Sequence, residues 1–121
     1  MIALISEANS SSIAYAICRI DESGRFHDKD IIETASWLPG ERLQVQFIRG
    51  VAAFTPTPYG PLSVPRRRSV AVPSHTRRLL GLEPRDKALL AAAPESRIVI
   101  VYPKSAIDEM VRRFHSTGLN R

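Results

Sequence analysis

From Ile13 to Ile20 larger apolar residues (Ile13, Tyr15, Ile17) alternate with smaller ones, the two-residue period of a strand with one heavier face. The polar stretch Ser6 to Ser12 before it reads as a loose arm, and Asp21-Glu22-Ser23-Gly24 after it as a turn. Arg25 to His27 resumes a short strand. Asp28 then stands as N-cap to a helix of about two turns carrying Ile31, Ile32 and Ala35 at helical spacing. Leu38-Pro39-Gly40-Glu41 breaks that helix, because a proline disfavours helix at the residue before it and glycine permits a positive φ. Leu43, Val45 and Phe47 alternate with Gln44 and Gln46, and Ile48-Arg49-Gly50 turns this strand into Val51 to Phe54 as a hairpin.

Thr55 to Pro61 holds three prolines and a glycine and reads as a stiff linker. Beyond it the order recurs. Leu62 to Pro65 and Ser69 to Val72 are short extended pieces around a basic turn, and Pro73-Ser74 opens a brief helix with Leu79 and Leu80 that Gly81 ends. After Leu82-Glu83-Pro84-Arg85-Asp86, Lys87 to Ala92 and Arg97 to Tyr102 form a second hairpin. Gly24-Arg25-Phe26 matches Arg68-Ser69-Val70, and Pro39-Gly40-Glu41-Arg42 matches Pro84-Arg85-Asp86-Lys87, with one residue gained or lost between. The expected units are an arm over 1–12, a repeat over 13–55, a linker over 56–61, a second repeat over 62–103, and a helix with tail over 104–121. In the last, Ser105 is the expected N-cap with Asp108 three residues on, Ile107, Met110, Val111 and Phe114 line one face, and Arg112 and Arg113 fall near the C-terminal end.

Charge changes this picture because it is uneven. Residues 1–60 carry five Lys/Arg against seven Asp/Glu, whereas residues 61–121 carry twelve against five, within an overall formal charge of +5. A positive field confined to one half suits an anionic partner, nucleic acid being the commonest. With 44% hydrophobic and 24% charged residues the chain has globular composition. Cys18, the single cysteine, has no internal disulfide partner and sits between Ile17 and Ile20 as a packed apolar residue, consistent with a reducing cytoplasm. The apolar Met1 to Ile5 is too short for a signal peptide or membrane span, so the expected location is cytoplasmic, without a membrane partner.

The second repeat carries a resemblance. Ser69-Val70-Ala71-Val72-Pro73-Ser74, then Arg77-Arg78-Leu79-Leu80-Gly81-Leu82-Glu83-Pro84-Arg85-Asp86-Lys87, then Arg97-Ile98-Val99-Ile100, resembles the AbrB/MazE/SpoVT pattern of a strand ending in proline, a short basic helix, a Gly-Leu-x-Pro-Gly-Asp turn and a closing hairpin. The first repeat keeps Gly24-Arg25 and the Pro39-Gly40-Glu41 turn but has Asp28 or Lys29 where the strand-ending proline would fall. The resemblance implies a mainly β fold with short helices, in which two tandem β-β-α-β-β repeats of one chain interlock as a swapped-hairpin barrel, with a C-terminal helix added. The physical incentive is that strands in so short a unit leave unpaired backbone groups that a second copy can satisfy. The implied function is double-stranded DNA binding as a transcriptional regulator. One alternative is the antitoxin of a toxin–antitoxin pair, though the ordered C-terminal segment is short for wrapping a toxin. Another is a protein-interaction module on the same barrel.

The candidate DNA-binding residues are Arg66, Arg67 and Arg68 on the turn of the second repeat, Arg77 and Arg78 on its helix, and Arg25 and Lys29 as weaker counterparts diluted by Asp28, Asp30 and Glu33. Arginine's planar fork bridges phosphate oxygens or reads guanine O6 and N7. Five such cations on one face would give a log–log salt slope near −4 to −5. His75 at the helix start reads as an exposed bystander, His27 and His115 as isolated, and Trp37, at the place of Leu82, as core. No metal-ligand spacing, nucleophile motif or phosphate loop is present, so neither cofactor, small-molecule substrate nor catalysis is expected. Ile107, Met110, Val111 and Phe114 are the candidate stripe for a dimer or partner contact, against a plain reading as packing on the barrel.

Overall fold

The computed structural model describes residues 12–119, so the expected arm lies, Ser12 apart, outside the described residues. The alternation after Ser12 forms β1 (Ala14–Arg19), and the Asp21 to Gly24 turn returns the chain as β2 (Arg25–His27). Asp28 caps α1 (Lys29–Thr34) by accepting the Ile31 N–H at 3.0 Å. β3 (Arg42–Ile48) and β4 (Val51–Pro56) make the first hairpin, turned by Arg49 and Gly50, both with positive φ. The second half continues with β5 (Leu62–Ser63), β6 (Ser69–Ala71), α2 (Ser74–Leu80), β7 (Lys87–Ala93) and β8 (Ile98–Tyr102). Pro73 stands at the N-cap of α2, and Gly81 ends the helix in the left-handed region at φ 69°.

Six strands form one antiparallel sheet in the order β1-β7-β8-β4-β3-β5, and β2 pairs with β6 as a separate two-stranded ribbon. Each half thus lends its first strand to the other half's hairpin: β1 pairs with β7, β5 with β3. Registers correspond as well. Cys18 faces Ala88 and Arg19 faces Lys87, and at the matched places Leu62 faces Leu43 and Ser63 faces Arg42. Phe26 faces Val70, its own counterpart, at the middle of the ribbon, and Ala53 faces Ile100 in the middle of the β4–β8 contact. Neither sheet closes on itself, since β1 and β5 are free edges, so the expected barrel is an open sheet. With β5 only two residues long, hydrogen bonding runs out before the far edge can reach β1.

The segment read as a linker is packed. β4 extends into it as far as Pro56, the Thr57 N–H donates to the Arg42 carbonyl at 3.0 Å, and Arg42 Nε donates to the Gly60 carbonyl at 2.7 Å. A Cβ on Gly60 would overlap the Leu43 carbonyl, so only glycine fits this crossing between the halves.

β4, β7 and β8 are covered on both faces, which is why they read as unbroken apolar runs. One face, with Phe54, Leu90, Val99 and Val101, packs under α1, α2 and the ribbon, where Phe26 meets Phe54 edge to face at 5.8 Å. Trp37 is buried there, as expected, and donates Nε1–H to the Arg97 carbonyl at 2.9 Å. On β1 the small residues Ala14, Ala16 and Cys18 turn toward this core and the heavier face turns out, with Tyr15 and Ile17 66% and 60% exposed. α1 packs across β1 and β7, leaving room only for small side chains between. The opposite face, with Val51, Ala53, Ile98 and Ile100, packs with Ile13 and with Ala106 of α3 (Lys104–Leu119).

α3 starts earlier than expected. The Pro103 carbonyl accepts the N–H groups of Ala106 and Ile107, so Ser105 lies within the first turn, and Asp108 is engaged by Lys104 at 2.7 Å. Arg112 and Arg113 lie mid-helix and pair with Glu109 at i,i+3 and i,i+4 spacing. No described helix is long and apolar enough to cross a membrane.

Candidate nucleic-acid interface

The β2–β6 ribbon organises the candidate cations into two groups. Because its strands are antiparallel, with His27 opposite Ser69 and Arg25 opposite Ala71, the Arg66 to Arg68 turn meets the start of α1 at one end. At the other end the Gly24 carbonyl accepts the Val72 N–H at 2.9 Å, just before α2. His27, Asp28, Lys29, Arg66, Arg67 and Arg68 line a shallow open depression of about 480 Å³ at the first end. Arg77 lies at the second, its guanidinium in the space a Cβ on Gly24 would need. The expected single cluster of five guanidiniums is therefore split, because an antiparallel ribbon separates the turn before β6 from the helix after it.

The candidates also differ in what already holds them. Arg25 donates from Nε to Ser69 Oγ at 2.8 Å and to the Ser69 carbonyl at 3.2 Å, and Arg77 donates from Nε to the Val72 carbonyl at 2.9 Å. Both side chains tie the ribbon to its surroundings. Arg68 pairs with Glu33 of α1. Lys29, Arg66, Arg67 and Arg78 are exposed and their side chains make no hydrogen bond or ion pair with the described residues, so their charge is open to an anion.

Three ion pairs join the halves, and each runs from an acid of the first half to an arginine of the second: Glu33 with Arg68, Glu22 with Arg85 at 2.9 Å, and Glu41 with Arg97 at 2.6 Å. All three arginines have positive φ, at 56°, 74° and 53°. Their counterparts in the first half are Gly24, Gly40 and Gly50, also left-handed. An L-residue at such a place costs about 1 kcal/mol relative to glycine. The second half therefore carries cations where the backbone alone would prefer glycine, and part of its excess charge is met by the acids of the first half. Arg97 gains most, since its NH2 also donates to the Ser36 carbonyl at 2.7 Å and holds the Glu41 carboxyl below its usual range.

Sequence reading missed Glu33, Glu22 and Glu41 as the groups that hold Arg68, Arg85 and Arg97, and Ser69 as the group that holds Arg25. It also took His27 as isolated. His27 Nε2 lies 2.8 Å from Asp21 Oδ2, six residues back across a tight turn. Asp21 accepts the Arg25 and Ser23 N–H groups on its other oxygen, and the Arg25 N–H foremost, then His27, keeps this carboxyl well below the usual range. Alternation across a hairpin was the available signal, since Arg25 and His27 share a face of β2. His75 is exposed, and Phe114 stacks edge to face on His115 at 5.8 Å. No group of three metal-ligating side chains forms among the described residues. Met110, Val111 and Phe114 are exposed, and Ile107 is half-buried beside the sheet.

Comparison with family models, with curated proteins and with solved structures finds no match to this chain.

Proposed function

We propose that the chain binds double-stranded DNA as a transcriptional regulator of the AbrB/SpoVT type, its two halves interlocked as fused swapped-hairpin units. The observation that carries this reading is the depression where Lys29 of the first half meets Arg66 and Arg67 of the second, three cations that outnumber the lining Asp28 and form no ion pair among the described residues. Exchange of first strands between the halves supports the interlocked arrangement, since a tandem pair of such units would pair in this way. The open cations engage phosphates first and set orientation, while base edges and groove shape supply preference. Regulation then comes from occupancy of a promoter.

Mobility shift on random duplex across a salt series tests this. With Arg25, Arg68 and Arg77 held internally and Arg78 outside the depression, Lys29, Arg66 and Arg67 remain, so the log–log slope falls to about −3 in place of the steeper value expected for five. Replacing Arg66 and Arg67 together by alanine removes the shift and leaves the unfolding midpoint in place, because both side chains are exposed and neither makes a hydrogen bond or ion pair with the described residues. Absence of any salt-dependent shift with the natural chain would replace this reading by that of a protein-interaction module.

A further inference from the structure

A second basic region lies away from the ribbon. Arg19 of β1 and Lys87 of β7 are directly opposite and both exposed. Like charges facing across an antiparallel pair are mutually destabilising. The fold does not demand this, because the matched pair in the other half is Arg42 with Ser63, one cation and one neutral residue. Arg19 NH1 donates to the Arg85 carbonyl at 3.0 Å, drawing these side chains to one groove of about 740 Å³ that Lys104 also lines. Two acids reach it, and both are occupied: Asp86 accepts the Glu83 N–H at 2.9 Å and Asp108 pairs with Lys104.

The groove floor is apolar. Ile17 and Ile107 both line it, and further exposed apolar side chains follow, Tyr15 along β1 and Met110, Val111 and Phe114 along α3. Five of these side chains are more than two-fifths exposed, apolar surface of the kind that marks an interaction site. β1 is also a free sheet edge of six residues, whereas the opposite edge, β5, has two. Within β1 itself, Arg19 at its end is the one charged residue.

We propose that this groove takes an acidic, amphipathic segment of a partner protein, laid along β1 with its apolar residues on Ile17 and Ile107 and its carboxylates on Arg19 and Lys87. Charge complementarity selects this occupant. A second copy of the chain would bring the same basic rim and a net charge of +5 against itself. A nucleic acid would satisfy the rim and leave the floor uncovered. An extended acidic segment satisfies both. The site is separate from the ribbon cations and does not depend on DNA binding.

Fluorescence anisotropy with a short labelled peptide alternating Glu with Leu and Val tests the assignment on the full chain. Micromolar binding is expected, weakened at least about tenfold by Arg19→Glu with Lys87→Glu and severalfold by Phe114→Ser, with cooperative unfolding retained in each. Arg66→Ala with Arg67→Ala should leave peptide affinity intact. Equal affinity for the peptide with Gln in place of Glu would overturn the proposal by reducing the site to apolar adhesion. So would absence of binding, displacement of the peptide by duplex DNA, or sedimentation as a dimer that Phe114→Ser dissociates.

Discussion

The two halves of this chain share one ladder and solve its turns differently. Where the first half places Gly24, Gly40 and Gly50 in left-handed backbone, the second places Arg68, Arg85 and Arg97 and ties each to an acid of its neighbour. A glycine there minimises backbone strain and contributes no contact. An arginine costs strain and gains a link across the interface. The uneven charge of the sequence thus serves two purposes, holding the halves together through the arginines at positive φ and leaving Lys29, Arg66, Arg67 and Arg78 open.

The comparison breaks most severely at its centre. Phe26→Ala removes a fully buried ring from the place where the ribbon crosses its own counterpart and from its contact with Phe54, and should cost about 3–5 kcal/mol in denaturant unfolding. Val70→Ala, opposite it, should cost less because a smaller cavity results. Equal costs would mean that the two sides of the ribbon are not packed as unequally as their volumes.

Next comes the tightest inter-half pair. Glu41→Gln should cost about 1 kcal/mol at neutral pH, since the pair with Arg97 is partly buried and the arginine keeps its strained backbone. The folded-state carboxyl is held low, so this contribution is present above the unfolded pKa and fades as pH falls through the folded one. Denaturation of both proteins across acid pH checks it, the curves converging on the acid side. Arg85→Gly should act in the opposite direction. Its pair with Glu22 is 81% and 71% exposed and worth little, whereas relief of positive φ is worth about 0.5–1 kcal/mol, so a small rise in unfolding midpoint is expected. A fall would show that exposed pairs between the halves matter more than strain.

Much of this was legible in the chain itself. Asp28 as N-cap, Gly81 as C-cap, the Pro39-Gly40 break and both hairpins follow from local chemistry, and local chemistry is what sequence displays. The match of Gly24-Arg25-Phe26 to Arg68-Ser69-Val70 made Phe26 and Val70 counterparts, without announcing that they pair across the ribbon. The hidden part was non-local. Nothing near Arg68 in sequence announces Glu33, nothing near Arg97 announces Glu41, and the separation of Arg66 from Arg77 arises from an antiparallel pairing that spacing along the chain does not encode. α3 slipped because Ser105 is a good cap in isolation, while Pro103 supplies the carbonyl that starts the helix.

The smallest contrast between the halves is chemical. Cys18 takes the place that Leu62 takes in the second half, each facing the other half's hairpin. Burial, and after it the nearby Asp28 carboxylate, pushes its thiol up to about 11. Native protein should therefore resist a thiol reagent at pH 8, reacting about tenfold faster per pH unit toward 11 and at once when unfolded.

The exchange of first strands has a consequence for how the molecule is made. On the ribosome β1 emerges early, yet its hydrogen-bonding partner β7 is translated only after the whole first half and most of the second. At synthesis rates of about 5–20 residues per second, the nascent Ala14–Arg19 segment waits seconds with both edges open. Folding dominated by such distant contacts is intrinsically slow. Tyr15 and Ile17 are thus presented to chaperones, or to neighbouring nascent chains, before they have a sheet to lie on.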